Sequence, residues 1–306
     1  MNPSKAIHNP RAIALAAFLF GALFIGILFG QTGFWLSLTS VDFDGERAYG
    51  HVVAQVNFGP RITGTQPNIE AGDYILRHLK QSGWEAEIQP FTYKGTQGRN
   101  IIARANVGKG PIVILGAHYD TRKRADKDKD RPNDPVPGAN DGASGTAVIL
   151  DLARSLDLDR VPNEIWLAFF DAEDNGELDD WTWIVGSSHM ADHLGDVQPQ
   201  AMILVDMVGD RHQQLYFEKN SDPALSRKIW ETAARLGYRQ QFIPEPRWAL
   251  LDDHIPFTRR NIPAANIIDF DYPYWHTTAD TVDKVSAESL HRVGRTLETF
   301  LETLGK

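Results

Sequence analysis

The sequence predicts an α/β fold, a three-layer αβα sandwich with a mostly parallel central sheet, preceded by one N-terminal transmembrane helix. Three observations predict it. A short, wholly apolar run (PIVILG at 111–116) and two more strongly apolar ones (EIWLAFF at 164–170, AMILV at 201–205) suit strands buried on both faces. Helical stretches at 143–156, 222–236 and 287–304 stand between or after them, and such alternation puts a mostly parallel sheet between two layers of helices. Residues 12–29 form an uncharged apolar run close to the ~20 residues that span a bilayer.

Lys5 and Arg11 precede that run, while Asp42, Asp44 and Glu46 follow it. Positive charge before a span predicts a cytoplasmic N-terminus and an exported body. The expected organisation is a cytoplasmic segment at 1–11, a signal anchor at 12–29, a linker at 30–45 and a catalytic domain at 46–306. A cleaved signal peptide is the alternative. Its apolar region is shorter, ~7–15 residues, and ends in a small-x-small site. Phe34 and Trp35 resemble interfacial anchors more than such a site. The protein is therefore expected at the membrane, single-pass, with its catalytic domain on the periplasmic or extracellular side.

Within the body, residues 68–81 carry Ile69, Tyr74, Ile75 and Leu79 at helical spacing, and Gly83 ends the helix. Residues 84–93 alternate as a strand, 100–106 read as another, and 264–268 as a late one. Residues 119–141 form a long polar loop. Its charge cluster RKRADKDKDR (122–131) mixes both signs and reads as a solvated surface.

A net charge of −9 disfavours a phosphate backbone as partner, so no nucleic acid is expected. There is no cysteine, which excludes disulfides, thiolate nucleophiles and thiolate-held zinc. Any metal must be held by His, Asp and Glu.

In α/β sheets, functional side chains gather beyond the carboxyl ends of the strands. There, 111–120 runs into His118 and Asp120, 164–174 into Asp171, Glu173 and Asp174, and 201–206 into Asp206. Asp141 sits among glycines before a helix, and His276 follows the last strand. Singly, each has an ordinary explanation as a cap, a turn former or a structural histidine. Together they bring carboxylates and imidazoles to one end of the sheet, and buried acids stay ionised only when paired or bound to a cation. Such donors suit Zn2+. In the pair Glu173-Asp174, one carboxylate can bind metal while the other works as a general base, with Asp174 the ligand and Glu173 the proton shuttle.

The ordered series GAHYD, GANDGASGTAVILDLAR, FFDAED, LVDMVGD and WHTTADT, with FGPRITGT ahead of it, resembles the zinc exopeptidases of the M28 type, a family that includes the animal-type glutaminyl cyclases. The resemblance implies Asp141, Asp174 and His276 as ligands of one zinc, with His118 and Asp206 holding a second in the aminopeptidases. It also implies Glu173 as general acid/base. One departure is visible, since the second acid of the pair is often Glu and here is Asp174. Two details resemble the cyclase branch. Asp252, in LDDHIPF, would belong to a carboxylate network with Asp206 beside Glu173, and Trp275 would wall the substrate pocket. Their ordinary alternatives are a helix cap and a core aromatic. Trp181 and Trp183 also lie near enough in sequence to line the pocket, and spacing does not choose between them.

The expected activity is conversion of N-terminal Gln of peptides to pyroglutamate, with one Zn2+. The alternative is a dinuclear zinc aminopeptidase, and a non-catalytic binding ectodomain is a third reading. Expected partners are peptide or protein N-termini as substrates and the membrane through the N-terminal helix, with the protein a monomer.

Overall fold

The computed structural model describes residues 41–304. In chain order the elements are α1 (Gly45–Asn57), α2 (Gln66–Gln81), β1 (Glu85–Tyr93), β2 (Thr96–Ala105), β3 (Ile112–His118), α3 (Ala143–Ser155), β4 (Glu164–Phe170) and α4 (Val185–Asp192). They continue with β5 (Ala201–Asp206), β6 (Leu215–Phe217), α5 (Pro223–Arg235), β7 (Phe242–Pro246), α6 (Ile255–Thr258), β8 (Ala264–Ile268) and α7 (Ala287–Thr303). The expected span at 12–29, with the segments 1–11 and most of 30–45, lies outside the described residues. Among the described residues no helix is long and apolar enough to cross a membrane.

The central sheet runs β1-β2-β4-β3-β5-β8. From β4 to β8 it is parallel, whereas β2 pairs antiparallel with both β1 and β4. The sheet is therefore mixed rather than parallel throughout. The causes are two short reversals: Lys94 and Gly95 both have positive φ (47° and 81°), the geometry of a two-residue turn that folds β1 back on β2, and the segment 106–111 turns the chain again from β2 into β3. β6 and β7 form a separate two-stranded sheet.

The central strands are buried on both faces, as their apolar runs require. On one face Leu115, Leu167, Ile203 and Ile267 pack in a cluster with Val52 of α1, Ile75 of α2, Val148 of α3 and Leu297 of α7. On the other, Ile114, Phe170, Met202 and Leu204 meet Met190 of α4 and Phe257 of α6. Helices thus flank the sheet on both sides. Gly145 lets α3 lie directly on β5, since a Cβ there would fall 2.0 Å from the carbonyl oxygen of Val205.

Two helices carry weak sequence signals. The buried side of α1 is Gly45, Ala48, His51, Val52 and Gln55, and that of α4 is Gly186, Ser187, Met190 and Ala191. Small and polar residues at those positions hide the helical period that larger apolar residues would reveal.

Candidate metal centre and active site

The carboxyl ends of β3, β4 and β5 open on one side of the sheet, and the loops carrying Asp141 and His276 fold over the same end. Three non-glycine residues there take left-handed backbone: Ala172 before Glu173 (φ 61°), Met207 after Asp206 (φ 44°) and His276 itself (φ 56°). Such conformations cost energy and persist where the surroundings over-determine them. Gly142, just after Asp141, has φ 86°, and a Cβ there would lie 2.5 Å from the Asp120 carbonyl oxygen and 3.2 Å from the His118 ring.

The result is two trios that share Asp141, namely His118, Asp141 and Asp206, and Asp141, Asp174 and His276, each with donor atoms within 4.8 Å of one another. His118 Nε2 lies 3.1 Å from Asp141 Oδ1 and 3.2 Å from Asp206 Oδ1. His276 Nε2 lies 2.9 Å from Asp174 Oδ1 and 3.6 Å from Asp141 Oδ2. Asp141 Oδ2 and Asp174 Oδ2 are buried with no hydrogen-bond partner among the protein atoms. Buried carboxylate oxygens left bare beside imidazole nitrogens call for a cation, and a set of nitrogen and oxygen donors fits zinc.

The far side of each imidazole is also occupied. His118 Nδ1 lies 3.5 Å from Asp120, and His276 Nδ1 lies 3.5 Å from Asp126. Carboxylates in that position orient metal-bound histidines. Asp120 also accepts hydrogen bonds from the backbone amides of Glu173 and Asp174 (3.1 and 3.2 Å). Asp280 accepts from the amides of Asn140 and Asp141 and from the Tyr272 hydroxyl. Arg122 grips Asp126 through two nitrogens and donates to the carbonyls of Asp174 and Gly176. The cluster 122–131 is therefore not simply a solvated surface: Arg122 is buried and ties that loop to the metal candidates.

Charge follows this geometry. Burial alone would lower the pKa of His276, but Asp174, Asp126 and Asp141 outweigh it and raise it to about 9. His118 is pushed well above the usual range, against its burial, by Asp120, Asp141 and Asp206. Asp206 is pushed up to about 7 by burial and then by the charge of Asp252. Burial drives Glu173 well above the ordinary carboxylate range, and Asp174, Asp253 and Asp252 add to the shift against the pull of His118.

A cavity of about 190 Å³ opens beside the trios. Glu173, Asp206 and Asp252 line it with carboxylates, and Trp183, Phe270 and Trp275 line it with rings. Trp183 stacks over His276 at 5.8 Å with planes 10° apart, and Trp275 packs on it at 3.9 Å. Trp181 packs against Tyr93 instead and is absent from the lining, which answers what spacing left open. Asp252 does not cap α6 with its side chain. Its carboxylate accepts from Asn266 Nδ2 (2.6 Å) and from the amide of Asp253 (2.6 Å).

All eight residues singled out for metal, catalysis or substrate thus converge: His118, Asp141, Glu173, Asp174, Asp206, Asp252, Trp275 and His276. Asp171, also at a strand end, does not join them. It accepts hydrogen bonds from Thr63, Asn68 and the amides of Arg99 and Ala172. The FGPRITGT segment is likewise a brace, since Arg61 donates to the carbonyls of Tyr119, Pro137 and Gly138. Sequence reasoning passed over Arg122, Asp126, Phe270 and Asp280. Of these only Asp280 had a local signal, its place in the loop segment that follows His276.

The profile of "Peptidase family M28" matches residues 100–301. The chain is 30% identical over 286 residues to the glutaminyl-peptide cyclotransferase-like protein of Mus musculus, covering 80% of this chain and 72% of that one. It is 29% identical over 272 residues to aminopeptidase YwaD of Bacillus subtilis (strain 168), covering 80% of this chain and 54% of that one. The crystal structure of Bacteroides thetaiotaomicron glutaminyl cyclase bound to N-acetylhistamine is similar with a TM-score of 0.81 and 32% identity, covering 87% of this chain and 99% of that one.

Proposed function

The chain belongs to peptidase family M28, and from that premise we propose that it is a glutaminyl-peptide cyclotransferase that converts N-terminal Gln of peptides to pyroglutamate with release of ammonia. Asp252 carries the reading. It is a carboxylate of the cavity beside Glu173 and Asp206, fixed by Asn266 and belonging to neither metal trio. A hydrolase built on two metals has no evident use for a further buried acid there. A proton-sharing network around one acid/base does.

Asp141, Asp174 and His276 would hold the zinc. Bound there, zinc would supply Lewis-acid polarisation of the γ-carboxamide carbonyl. Trp183, Phe270 and Trp275 form the apolar walls around the Gln side chain and keep water from it. The cavity holds the α-amine near the γ-carbonyl carbon, which makes ring closure an oriented intramolecular step. Glu173 takes a proton from the amine as the new C–N bond forms. It returns a proton to the carboxamide nitrogen as the old C–N bond breaks, and ammonia leaves. No water is consumed. Burial, with the charges of Asp174, Asp253 and Asp252, favours the protonated form of Glu173 and so its ability to act as acid.

The second reading is an aminopeptidase that uses both trios, and it rests on the approach of His118 to both Asp141 and Asp206. One assay separates the two. The purified protein with zinc is incubated with a peptide beginning in Gln and another beginning in Leu. Ammonia from the first and no free amino acid from either supports the cyclase. Free Leu sinks it. Retention of residues 12–29 as a membrane anchor, with the catalytic domain exported, is a further part of the proposal. Recovery of the full chain in the soluble fraction without detergent would overturn that part.

A further inference from the structure

Behind the cavity wall lies a buried polar group that the chemistry above does not use. Glu218 follows β6 directly, and its side chain is fully buried. Its Oε1 accepts a hydrogen bond from the amide of Leu250 at 2.8 Å. Its Oε2 lies 3.1 Å from Nε2 of the equally buried His254. Leu250 stands two residues before Asp252 and His254 two residues after, so one carboxylate grips the Asp252 loop on both sides. Oε2 also accepts from the hydroxyl of Ser221 at 2.8 Å, and that hydroxyl accepts from the amide of Asn266 at 2.9 Å. Asn266 in turn donates to Asp252. A run of buried polar contacts therefore links His254, Glu218, Ser221, Asn266 and Asp252, and two residues of backbone join its ends.

We propose that Glu218 is the positioning residue of the site, holding the Asp252 carboxylate and the Leu250 wall in place from behind by bracketing their loop. Deepening the functional reading above, the inference rests on it only for the identity of the reaction. Three features support it. First, segment 247–254 has no strand or helix of its own to hold it, apart from the four-residue α6 that follows. Second, Glu218 is kept charged: burial would raise its pKa, but His254 and the amides of Asn220 and Leu250 outweigh burial and lower it. Third, charged acceptors form stronger hydrogen bonds than neutral ones, so this carboxylate is a firm anchor for a loop. A catalytic group displaced by ~1 Å can lose on the order of 100-fold in rate, so such an anchor acts on turnover without touching substrate.

The test is a double-mutant cycle of Glu218→Gln with Asp252→Asn, in the full-length zinc-loaded protein. The readout is whichever turnover the wild type shows, ammonia from the Gln peptide or free Leu from the Leu peptide. Loss of the cyclase reading therefore stays separate from loss of this one. Acting through Asp252, Glu218→Gln lowers kcat about 10–100-fold in the wild-type background and less than about 3-fold in the Asp252→Asn background. Zinc content stays unchanged in both. His254→Gln, which releases one side of the bracket, falls between wild type and Glu218→Gln. Crystal structures of wild type and Glu218→Gln give a readout independent of turnover, with the Asp252 carboxylate turned from the cavity only in the variant. Equal losses in the two backgrounds, or an unmoved Asp252, would overturn the proposal.

Discussion

His118 and His276 approach the same carboxylate, Asp141, from opposite oxygens, and each has an aspartate 3.5 Å behind its Nδ1. Their surroundings then diverge. His118 ends a central strand, and its partner Asp206 shares the cavity with Asp252 and Glu173. His276 sits in a loop with left-handed backbone, between two indoles, and its supporting Asp126 is neutralised by Arg122. One half of the site is crowded with Glu173, Asp206 and Asp252, whose pKa values all rise, while Asp174 rises in the other, to about 6. In the other, a cation and aromatic rings surround the imidazole. The same trio chemistry, on the reading proposed here, serves proton storage on the His118 side and metal retention on the His276 side.

Removing each histidine in turn breaks this comparison most directly. His276→Ala should lower zinc affinity by more than about 100-fold and abolish turnover, since a first-sphere ligand matters more than the ~10–100-fold typical of its supports. His118→Ala should keep one zinc per chain and measurable turnover. Metal analysis after dialysis, paired with the ammonia assay, checks both. Equal zinc loss from the two variants would mean the halves are alike and would favour the dinuclear hydrolase.

Next in size is the acid/base. Glu173→Gln should keep zinc and lose about 10²–10⁴-fold in kcat, the range for a positioned proton-transfer group. Retained turnover would remove Glu173 from the mechanism and leave the acids of the His118 side without a task.

Much of this was legible in the chain, and its limits are instructive. β4 and β8 were readable to the residue because a strand buried on both faces is built almost wholly of apolar residues, with Glu164 and Asn266 the exceptions. The eight site residues were readable because they lie at strand ends or in loops with distinctive neighbours, and because a family resemblance ordered them. Asp126 and Arg122 were hidden. A buried Arg122 paired with the more exposed Asp126 inside a mixed-charge loop has the composition of a solvated surface, and only tertiary packing distinguishes them. Asp171 erred the other way. It shares the strand end with Glu173 but turns toward Thr63 and Asn68, because the left-handed backbone at Ala172, between the two, breaks the alternation of the strand. α1 and α4 were obscured by small buried residues, and the antiparallel β2 by a turn whose consequence for strand direction spans the whole sheet.

Asp126 sharpens the comparison at a smaller scale. Asp126→Asn removes the charge behind His276 while leaving every candidate ligand in place. Zinc affinity should fall about 10–100-fold, the usual cost of losing a supporting carboxylate, with kcat at saturating zinc nearly unchanged. A competition titration with a chromogenic chelator reads the affinity. An unchanged affinity would mean that the 3.5 Å approach of Asp126 to His276 does not support the metal.

A last effect lies outside the site and sets the pH range over which the two halves can be compared. His51 is buried on α1 with the Tyr74 hydroxyl 2.6 Å from its Nδ1. Burial, then the neighbouring His78, Arg47 and Arg154, lower its pKa from 6.5 to about 4. In the unfolded chain the ring returns to its ordinary value. Between pH 6.5 and 4 the unfolded state therefore binds the extra proton, and stability falls as pH drops through that window. The contribution is at most about 3 kcal/mol, fully present above pH 6.5 and lost by about pH 4. Urea unfolding of wild type and His51→Leu at a series of pH values isolates it, because other titrating groups cancel in the difference. The gap should shift in favour of His51→Leu as pH falls, and a constant gap would mean that His51 is not protonated on unfolding. Zinc comparisons between His118 and His276 variants are therefore cleanest above pH 6.5, where His51 is neutral in both the folded and the unfolded chain.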